Sequence, residues 1–327
     1  MKRTKRTLIT GAGGFIGSHL AEQCIDSGAK VRAFVHYNSR NHWGWLEGGD
    51  IGQRCEVVCG DIRDFDSVNR AVKDCDTVFH LAALIGIPYS YVSPLAYIKT
   101  NIEGTYNVLE ACRDQKPETI VITSTSEVYG TARYTPIDED HPLTGQSPYS
   151  ASKIAADQLA LSYFRSFSLP VKIARPFNVF GPRQSARAVI PSIIIQLLNG
   201  NQTLRIGNLS PTRDFTYVKD TAAGLLAIAS CDQLTGEVTN IGTGREISIG
   251  DLAKLIADIL GADIQFSVEK QRVRPDASEV KRLLCDHSKI SKFTTWTPAY
   301  NLESGIAKTA AWIKENLAKY KTEIYNV

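Results

Sequence analysis

The stretch RTLITGAGGFIGSHLAEQCIDSG, residues 6 to 28, constrains this chain more than any other. A short β-rich run ends at Thr10. Gly11, Gly14 and Gly17 follow as GxxGxxG, and a helical pattern opens on Phe15 and Ile16. A strand that turns this tightly into a helix builds the first half of a βαβ unit, which commits the chain to a parallel sheet. Glycines suit the turn because backbone N–H groups can then approach a pyrophosphate at the positive end of the helix. A tight turn alone would also use glycine, so the strand before and the amphipathic helix after are what favour a nucleotide.

The rest of the chain repeats the pattern. KVRAFV, CEVVCGDIRD, TVFHLAA, ETIVITSTS and PVKIARPFN are strand-like, and helical stretches such as TNIEGTYNVLEACRDQ and YSASKIAADQLALSYFRSF lie between most of them. Such alternation predicts an α/β fold, a doubly wound parallel sheet of the Rossmann type with helices on both faces. After Pro176 the alternation loosens, and the tail from about residue 247 mixes helix and strand. The expected division is a dinucleotide-binding domain over 1–177 plus about 215–246, and a smaller mixed α/β substrate domain over about 178–214 plus 247–327. A chain of 327 residues has room for both.

Charge narrows the partners. A formal net charge of +3 is too small to argue for nucleic acid or an anionic membrane, and no apolar run is long enough to span a bilayer. A basic stretch precedes an apolar one at the start, as in a signal peptide, but the apolar run is broken by four glycines and lacks a small-residue cleavage site. Seven cysteines without a CxxC read as reduced thiols in a cytoplasmic protein. Six histidines without HxxxH or HExxH spacing give no metal site.

A dinucleotide fold that selects NAD usually carries a carboxylate at the end of its second strand. Here that region reads VRAFVHYNSRN, with no acid between Val31 and Asn41. His36, Asn38, Ser39 and Arg40 offer donors for a 2′-phosphate instead, so NADP is the expected cofactor and NAD the alternative. Asp61 in GDIRD is placed to accept from the adenine amino group. Ile62 and the Leu81, Ala82 and Ala83 of HLAA are expected along the same cofactor.

Chemistry enters with PYSASK. Tyr149 and Lys153 lie four apart, hence on one helical face, and an ammonium beside a phenol favours phenolate. Tyr149 is then a candidate base for an alcohol that loses hydride. Upstream, TSTSEVYG places Thr125, Ser126 and Glu127 just past a strand end, where ligands of parallel sheets bind.

With TGAGGFIG, GDIRD, HLAA, TSTSEVYG, PYSASK, RPFNVFGPR, RDFTYV and RPDASEV in order along nearly the whole chain, the sequence resembles an extended short-chain dehydrogenase/reductase acting on nucleotide sugars. Within that family the STSEVYG, PYSASK and RQSARAVIP combination is similar to UDP-N-acetylglucosamine 4,6-dehydratases of bacterial nonulosonic-acid pathways. The loop after the second strand and RPDASEV also resemble GDP-mannose 4,6-dehydratase, which uses NADP. The resemblance implies a tightly bound, recycled cofactor and a fixed order of steps. Hydride leaves C-4, the new ketone acidifies the C-5 hydrogen, Glu127 removes it, water leaves from C-6, and hydride returns to C-6. Thr125 would hold O-4 and orient Tyr149.

One position departs from the pattern. Many sugar 4,6-dehydratases have aspartate, an acid for the departing hydroxyl, where this chain has Ser126. GDP-mannose dehydratases carry serine there too, and protonated Glu127 could itself donate. A product stopped at a 5,6-alkene is therefore an alternative. So are UDP-glucuronate decarboxylation, which should need an extra cation facing the sugar carboxylate, and C-4 epimerisation, which does not need Glu127. A cofactor-sensing protein without catalysis is the alternative of another class, disfavoured by the presence of Tyr149 and Lys153.

On the substrate side the resemblance assigns Arg213 and Arg274 to the diphosphate, Asn178 to the same region and Glu279 to ribose hydroxyls. Val189, Leu204 and Ile206 align with segments that sandwich the base, and Arg187 is a further candidate for a phosphate. Two helices, around 101–113 and 149–166, resemble the pair that joins subunits in this family, so a homodimer or higher homo-oligomer is expected.

Overall fold

The computed structural model describes residues 5–47 and 49–321. Its strands are β1 (Arg6–Thr10), β2 (Lys30–His36), β3 (Glu56–Gly60), β4 (Thr77–His80), β5 (Thr119–Thr123), β6 (Val171–Pro176), β7 (Asn178–Phe180), β8 (Thr203–Ile206), β9 (Thr212–Tyr217), β10 (Val238–Ile241), β11 (Glu246–Ser248) and β12 (Gln265–Val268). Seven of them form one parallel sheet in the order β10-β6-β5-β4-β1-β2-β3. The order reverses between β1 and β4, and the loops after these two strands open a crevice at the carboxyl edge, where such sheets bind ligands.

The sheet is doubly wound, as the alternation predicts. Helices Phe65–Val72, Gly104–Gln115 and Pro148–Phe167 cover one face, with Val68, Ala71, Val108, Leu109 and Ala160 packed on Leu8, Ile120 and Ile122. Helices Phe15–Asp26 and Val218–Ser230 cover the other, with Leu20, Ala21, Ala222 and Leu225 on Ile9, Phe79 and Val121. A sheet buried on both faces needs apolar residues at successive strand positions, which is why LIT and IVIT do not alternate.

A second core holds the smaller part. Strands β7, β9 and β11 form a three-stranded sheet and β8 pairs with β12. Helices Val189–Leu198, Ile249–Leu260 and Leu302–Glu315 pack Ile193, Ile194, Leu252, Ile256, Ile306 and Ile313 around Phe180 and Tyr217. The chain rejoins the main layer at Val218. Ile290 and Trp296, within the tail, pack beneath the main sheet instead of in the second core. Asp220 draws that stretch in, its carboxylate accepting from the Ala299 and Tyr300 amides at 3.1 and 3.0 Å.

Candidate active site

Between the two cores runs a cleft of about 750 Å³. Its dinucleotide end is built from the glycine loop. Gly11 adopts φ +71°, a left-handed conformation that favours glycine, and a Cβ there would lie 2.9 Å from the Ala82 amide nitrogen. A Cβ on Gly17 would overlap the Gly11 carbonyl oxygen. Gly14 caps helix Phe15–Asp26 without any side-chain cap bond, leaving amide donors at the positive helix end. This cradle fits a pyrophosphate. Gly11, Gly14, Phe15, Ile16, Gly17, Leu81, Ala82 and Ala83 all line the cleft.

The shelf at residues 81–84 is fixed by side chains that the motifs did not single out. The Leu81 and Ala82 amides both donate to the Thr10 hydroxyl oxygen at 3.2 Å. The Thr10 hydroxyl proton is then free to go to His80 Nδ1, 2.8 Å away, so His80 Nε2 carries the ring proton and donates to Thr105 Oγ1 at 3.1 Å. Burial and the Lys153 charge push His80 down to about 3, which keeps it neutral in this role. Asn101 sits in a π-helical turn over Ile98–Glu103 and brackets Leu84, accepting from its amide at 2.8 Å and donating to its carbonyl at 2.9 Å. Its neighbours Lys99, Thr100, Glu103 and Thr105 are polar too, so no pattern in the sequence marks it out.

The loop after β2 differs from expectation. His36 and Asn38 line the cleft, but Ser39 and Arg40 are exposed and lie outside its wall. Asn38 spends its amide within its own turn, accepting from the Arg40 and His42 amides at 3.2 Å and donating to the His42 carbonyl at 2.7 Å. Trp43 and Gly44, not expected there, complete the wall. Asp61 and Ile62 lie outside it. Arg63, two residues on, grips the Asp61 carboxylate with its guanidinium at 2.5 to 3.1 Å and holds it below the usual carboxylate range. The Ile62 side chain, 6% exposed, packs in the core against Gly104.

Thr125, Ser126, Glu127, Tyr149 and Lys153 share one stretch of cleft wall. Thr125 caps a 3₁₀ turn, Ser126–Tyr129, its hydroxyl accepting from the Glu127 amide at 3.3 Å. The turn fixes where the Glu127 side chain, 9% exposed, leaves the strand end. Helix Pro148–Phe167 starts with a capping box: the Ser147 and Ser150 side chains reciprocally bond each other's backbone N–H, and Pro148 takes the first helical position. That sets Tyr149 in the first turn and Lys153 one turn later. Lys153 Nζ donates to the Thr123 carbonyl at 2.8 Å.

The phenol is not activated in the way the spacing suggested. Burial raises the Tyr149 pKa, the Thr125 hydroxyl lowers it by hydrogen bonding, and the Glu127 charge raises it again. Burial also lowers Lys153, which the Asp157 carboxylate opposes from one turn further along the helix. Asp157 in turn accepts from Ser124 Oγ at 2.7 Å and from Arg175 Nη2 at 3.0 Å. Arg175 reaches the Tyr129 hydroxyl at 3.1 Å, closing a buried network around the Glu127 turn.

At the far end, Asn178 and Arg274 line the cleft, and Asn178 Oδ1 is buried without a partner. Arg213, 5% exposed, lies 3.4 Å from Glu279 Oε1, and Arg274 Nη1 lies 3.6 Å from the same oxygen. Burial pulls Arg213 down, and Glu127 and Glu279 support its charge. Arg274 lines the cleft, whereas Arg213 and Glu279 lie outside its wall, and both guanidinium groups gather on one Glu279 oxygen. Arg187 is exposed on the cleft wall, its Nη1 3.5 Å from where a Cβ on Gly86 would sit. Val189 is half-buried beside the lining residue Ala188. Leu204 and Ile206, 0% and 6% exposed, do not reach the cleft. The alternation of β8 turns both into the second core, with Thr203 and Arg205 outward.

Comparison with known proteins agrees with the fold described above. The sequence profile of a family described as GDP-mannose 4,6 dehydratase matches residues 8–309. A putative UDP-glucose 4-epimerase from Methanocaldococcus jannaschii is 34% identical, over 94% of this chain and 98% of the relative. A UDP-N-acetyl-alpha-D-glucosaminuronate decarboxylase from Bacillus cytotoxicus is 33% identical, over 95% and 98%. The solved dTDP-glucose 4,6-dehydratase of Streptomyces venezuelae, with NAD bound, superposes with a TM-score of 0.88 at 29% identity, covering 97% of this chain and 99% of that one.

Proposed function

The chain belongs to the GDP-mannose 4,6-dehydratase family of extended short-chain dehydrogenases/reductases, and from that premise we propose that it is a nucleotide-sugar 4,6-dehydratase acting on UDP-N-acetylglucosamine. The observation that carries the reading is Glu127, a carboxylate on the same wall as Tyr149 and Thr125. Epimerisation at C-4 has no use for a base at that place.

A dinucleotide held along the Gly11–Gly17 loop would supply the hydride acceptor for C-4 and the hydride donor for C-6. The protein's own groups handle the protons. Thr125 and Tyr149 hold O-4, and Tyr149 accepts its proton as the C–H bond breaks. Lys153, one turn along the same helix, is the cation available to that phenolate, and in this structure its ammonium bonds the Thr123 carbonyl. The resulting ketone acidifies the C-5 hydrogen enough for a carboxylate to remove it, which Glu127 does. Ser126 is a poor acid, so Glu127 hands the same proton to the C-6 hydroxyl, which departs as water. A proton restored to C-5 balances the one taken from O-4, and the net change is loss of one water. Arg213, Arg274 and Asn178 hold the diphosphate, and Glu279 turns to the ribose.

On the cofactor, the missing carboxylate after β2 supports NADP. The internal use of Asn38, the position of Ser39 and Arg40 outside the wall, and the NAD-bound relative support NAD, which we favour. The exposed Tyr106 and Phe167 on helices Gly104–Gln115 and Pro148–Phe167 support self-association through these helices. The seven free thiols suit a reducing cytoplasm.

A second reading is decarboxylation of a UDP-uronate, because Arg187 supplies a guanidinium on the cleft wall beside Gly86 and a decarboxylase is among the relatives. Incubation with UDP-N-acetylglucosamine deuterated at C-4, read by mass spectrometry, separates the outcomes. Loss of water with deuterium found at C-6 is expected. Deuterium back at C-4 means a 5,6-alkene, and unchanged mass refutes dehydration. Loss of carbon dioxide from a UDP-uronate alone favours the second reading.

A further inference from the structure

The segment 42–47 does more than follow the second strand. The Trp45 amide donates to the Gly13 carbonyl at 2.9 Å. The two backbones touch: a Cβ on Gly13 would overlap the Trp43 carbonyl oxygen, and one on Gly44 would overlap that of Gly13. The glycine loop is thus backed directly by a loop that carries two tryptophans. Trp43 faces the cleft, and its indole Nε1 is buried with no hydrogen-bond partner.

Trp45 engages the smaller part of the molecule. It stands edge-on to Trp312 of helix Leu302–Glu315, with ring centroids 5.2 Å apart, and the Lys319 ammonium lies 5.6 Å from its ring. Trp312 meets Tyr320 at 6.3 Å, and the Tyr320 hydroxyl donates to the Gln184 carbonyl at 2.9 Å. Gln184 is itself part of the cleft wall. From Gly13 through Trp45, Trp312 and Tyr320 to Gln184, contacts therefore join the two walls around the dinucleotide end.

We propose that Trp45, Trp312 and Tyr320 form a clasp that retains the dinucleotide between turnovers. The clasp rests on the reading of the cleft as a dinucleotide site, and is independent of which sugar is processed. A redox-neutral reaction gives retention a purpose, since cofactor lost midway would strand an oxidised sugar. Trp45, Trp312 and Tyr320 are positioning residues here, acting through the loop behind Gly13.

The test measures release of cofactor without any sugar nucleotide. Wild-type enzyme is loaded with NAD, freed of excess, and chased with a dinucleotide analogue while release is timed. Trp45→Ala and Trp312→Ala should each release about ten- to a hundredfold faster, as loss of an aromatic pair and a cation–π contact implies. Trp45→Phe should recover part of the difference, and the double alanine variant should be no faster than the worse single one. Tyr320→Phe, which removes only a hydroxyl, guards against misfolding and should release a few-fold faster. Wild-type release rates in both Trp45→Ala and Tyr320→Phe overturn the clasp. Failure of the wild type to bind NAD or NADP at all overturns the site reading, and the clasp with it.

Discussion

Replacing Glu127 by glutamine preserves size and reach while removing both the proton-accepting oxygen and the negative charge. Glu127 lies on the cleft wall with 9% of its surface exposed, so bulk water is a poor substitute base there. General-base assistance is typically worth roughly 10² to 10⁴ in rate, which at about 1.4 kcal/mol per tenfold is about 3–5 kcal/mol of barrier. Dehydration by Glu127→Gln should fall by that factor. In the proposed mechanism oxidation at C-4 relies on Tyr149, Thr125 and Lys153, so it should persist and appear as reduced cofactor that accumulates after mixing. A second effect follows from the charge. The Glu127 carboxylate is one of the groups raising the Tyr149 pKa, so its loss moves the phenol downward. The pH profile of the oxidation burst should shift to lower pH in the variant. Stopped-flow absorbance of the reduced cofactor, paired with product mass, reads both. Dehydration within tenfold of wild type would refute the role of Glu127, and an unshifted profile would refute its coupling to Tyr149.

Gly17→Ala should bind dinucleotide at least tenfold more weakly and lose about 1–3 kcal/mol of stability, because its methyl group overlaps the Gly11 carbonyl oxygen; cofactor titration and denaturant melts check it, and normal binding contradicts the close approach. His80 makes stability depend on pH with a definite sign. Its folded pKa is depressed from 6.5 to about 3, so the unfolded chain takes up a proton that the fold refuses. Stability should therefore fall as pH drops below 6.5, by up to about 2 kcal/mol at pH 5 from this group. His80→Gln should flatten that decline in melts across the same range, and parallel declines would show that His80 is not responsible.

Local grammar made much of the fold legible. The glycine loop, the capped start of PYSASK and the strand end before Glu127 are determined by residues within a few positions of one another. They appear where the sequence puts them. Asp61 was less legible because a partner only two residues away, Arg63, competes for its carboxylate. The family resemblance aligns Leu204 and Ile206 with base-sandwiching segments, although the alternation TLRI points both inward. The clasp was out of reach in another way. Trp45 and Trp312 meet only after the last long helix docks beside the loop after β2, and no pattern in either segment announces the other.

The buried charges behind the catalytic wall have the same long-range character, and they tie the two halves of the chemistry together. Lys153, Asp157 and Arg175 are 4%, 0% and 2% exposed. Ion pairs so deeply desolvated are often no better for stability than apolar side chains of equal size, so stability is a weak reason for this arrangement. Its consequences for the site are more specific. Burial lowers the Lys153 pKa and Asp157, one turn along the helix, opposes that shift. The same carboxylate binds Ser124 and Arg175, and Arg175 holds the Tyr129 hydroxyl at the end of the turn that carries Glu127. Tyr129 donates onward to Asn240 Oδ1 at 2.7 Å, anchoring the turn to the edge strand β10 of the main sheet. One carboxylate therefore bears both on Lys153 and on the turn that carries Glu127, the groups that the proposed mechanism uses at C-4 and at C-5. In the proposed mechanism the two steps act on adjacent carbons of a single ring without its release, and a shared buried anchor is a direct way to keep their groups in register.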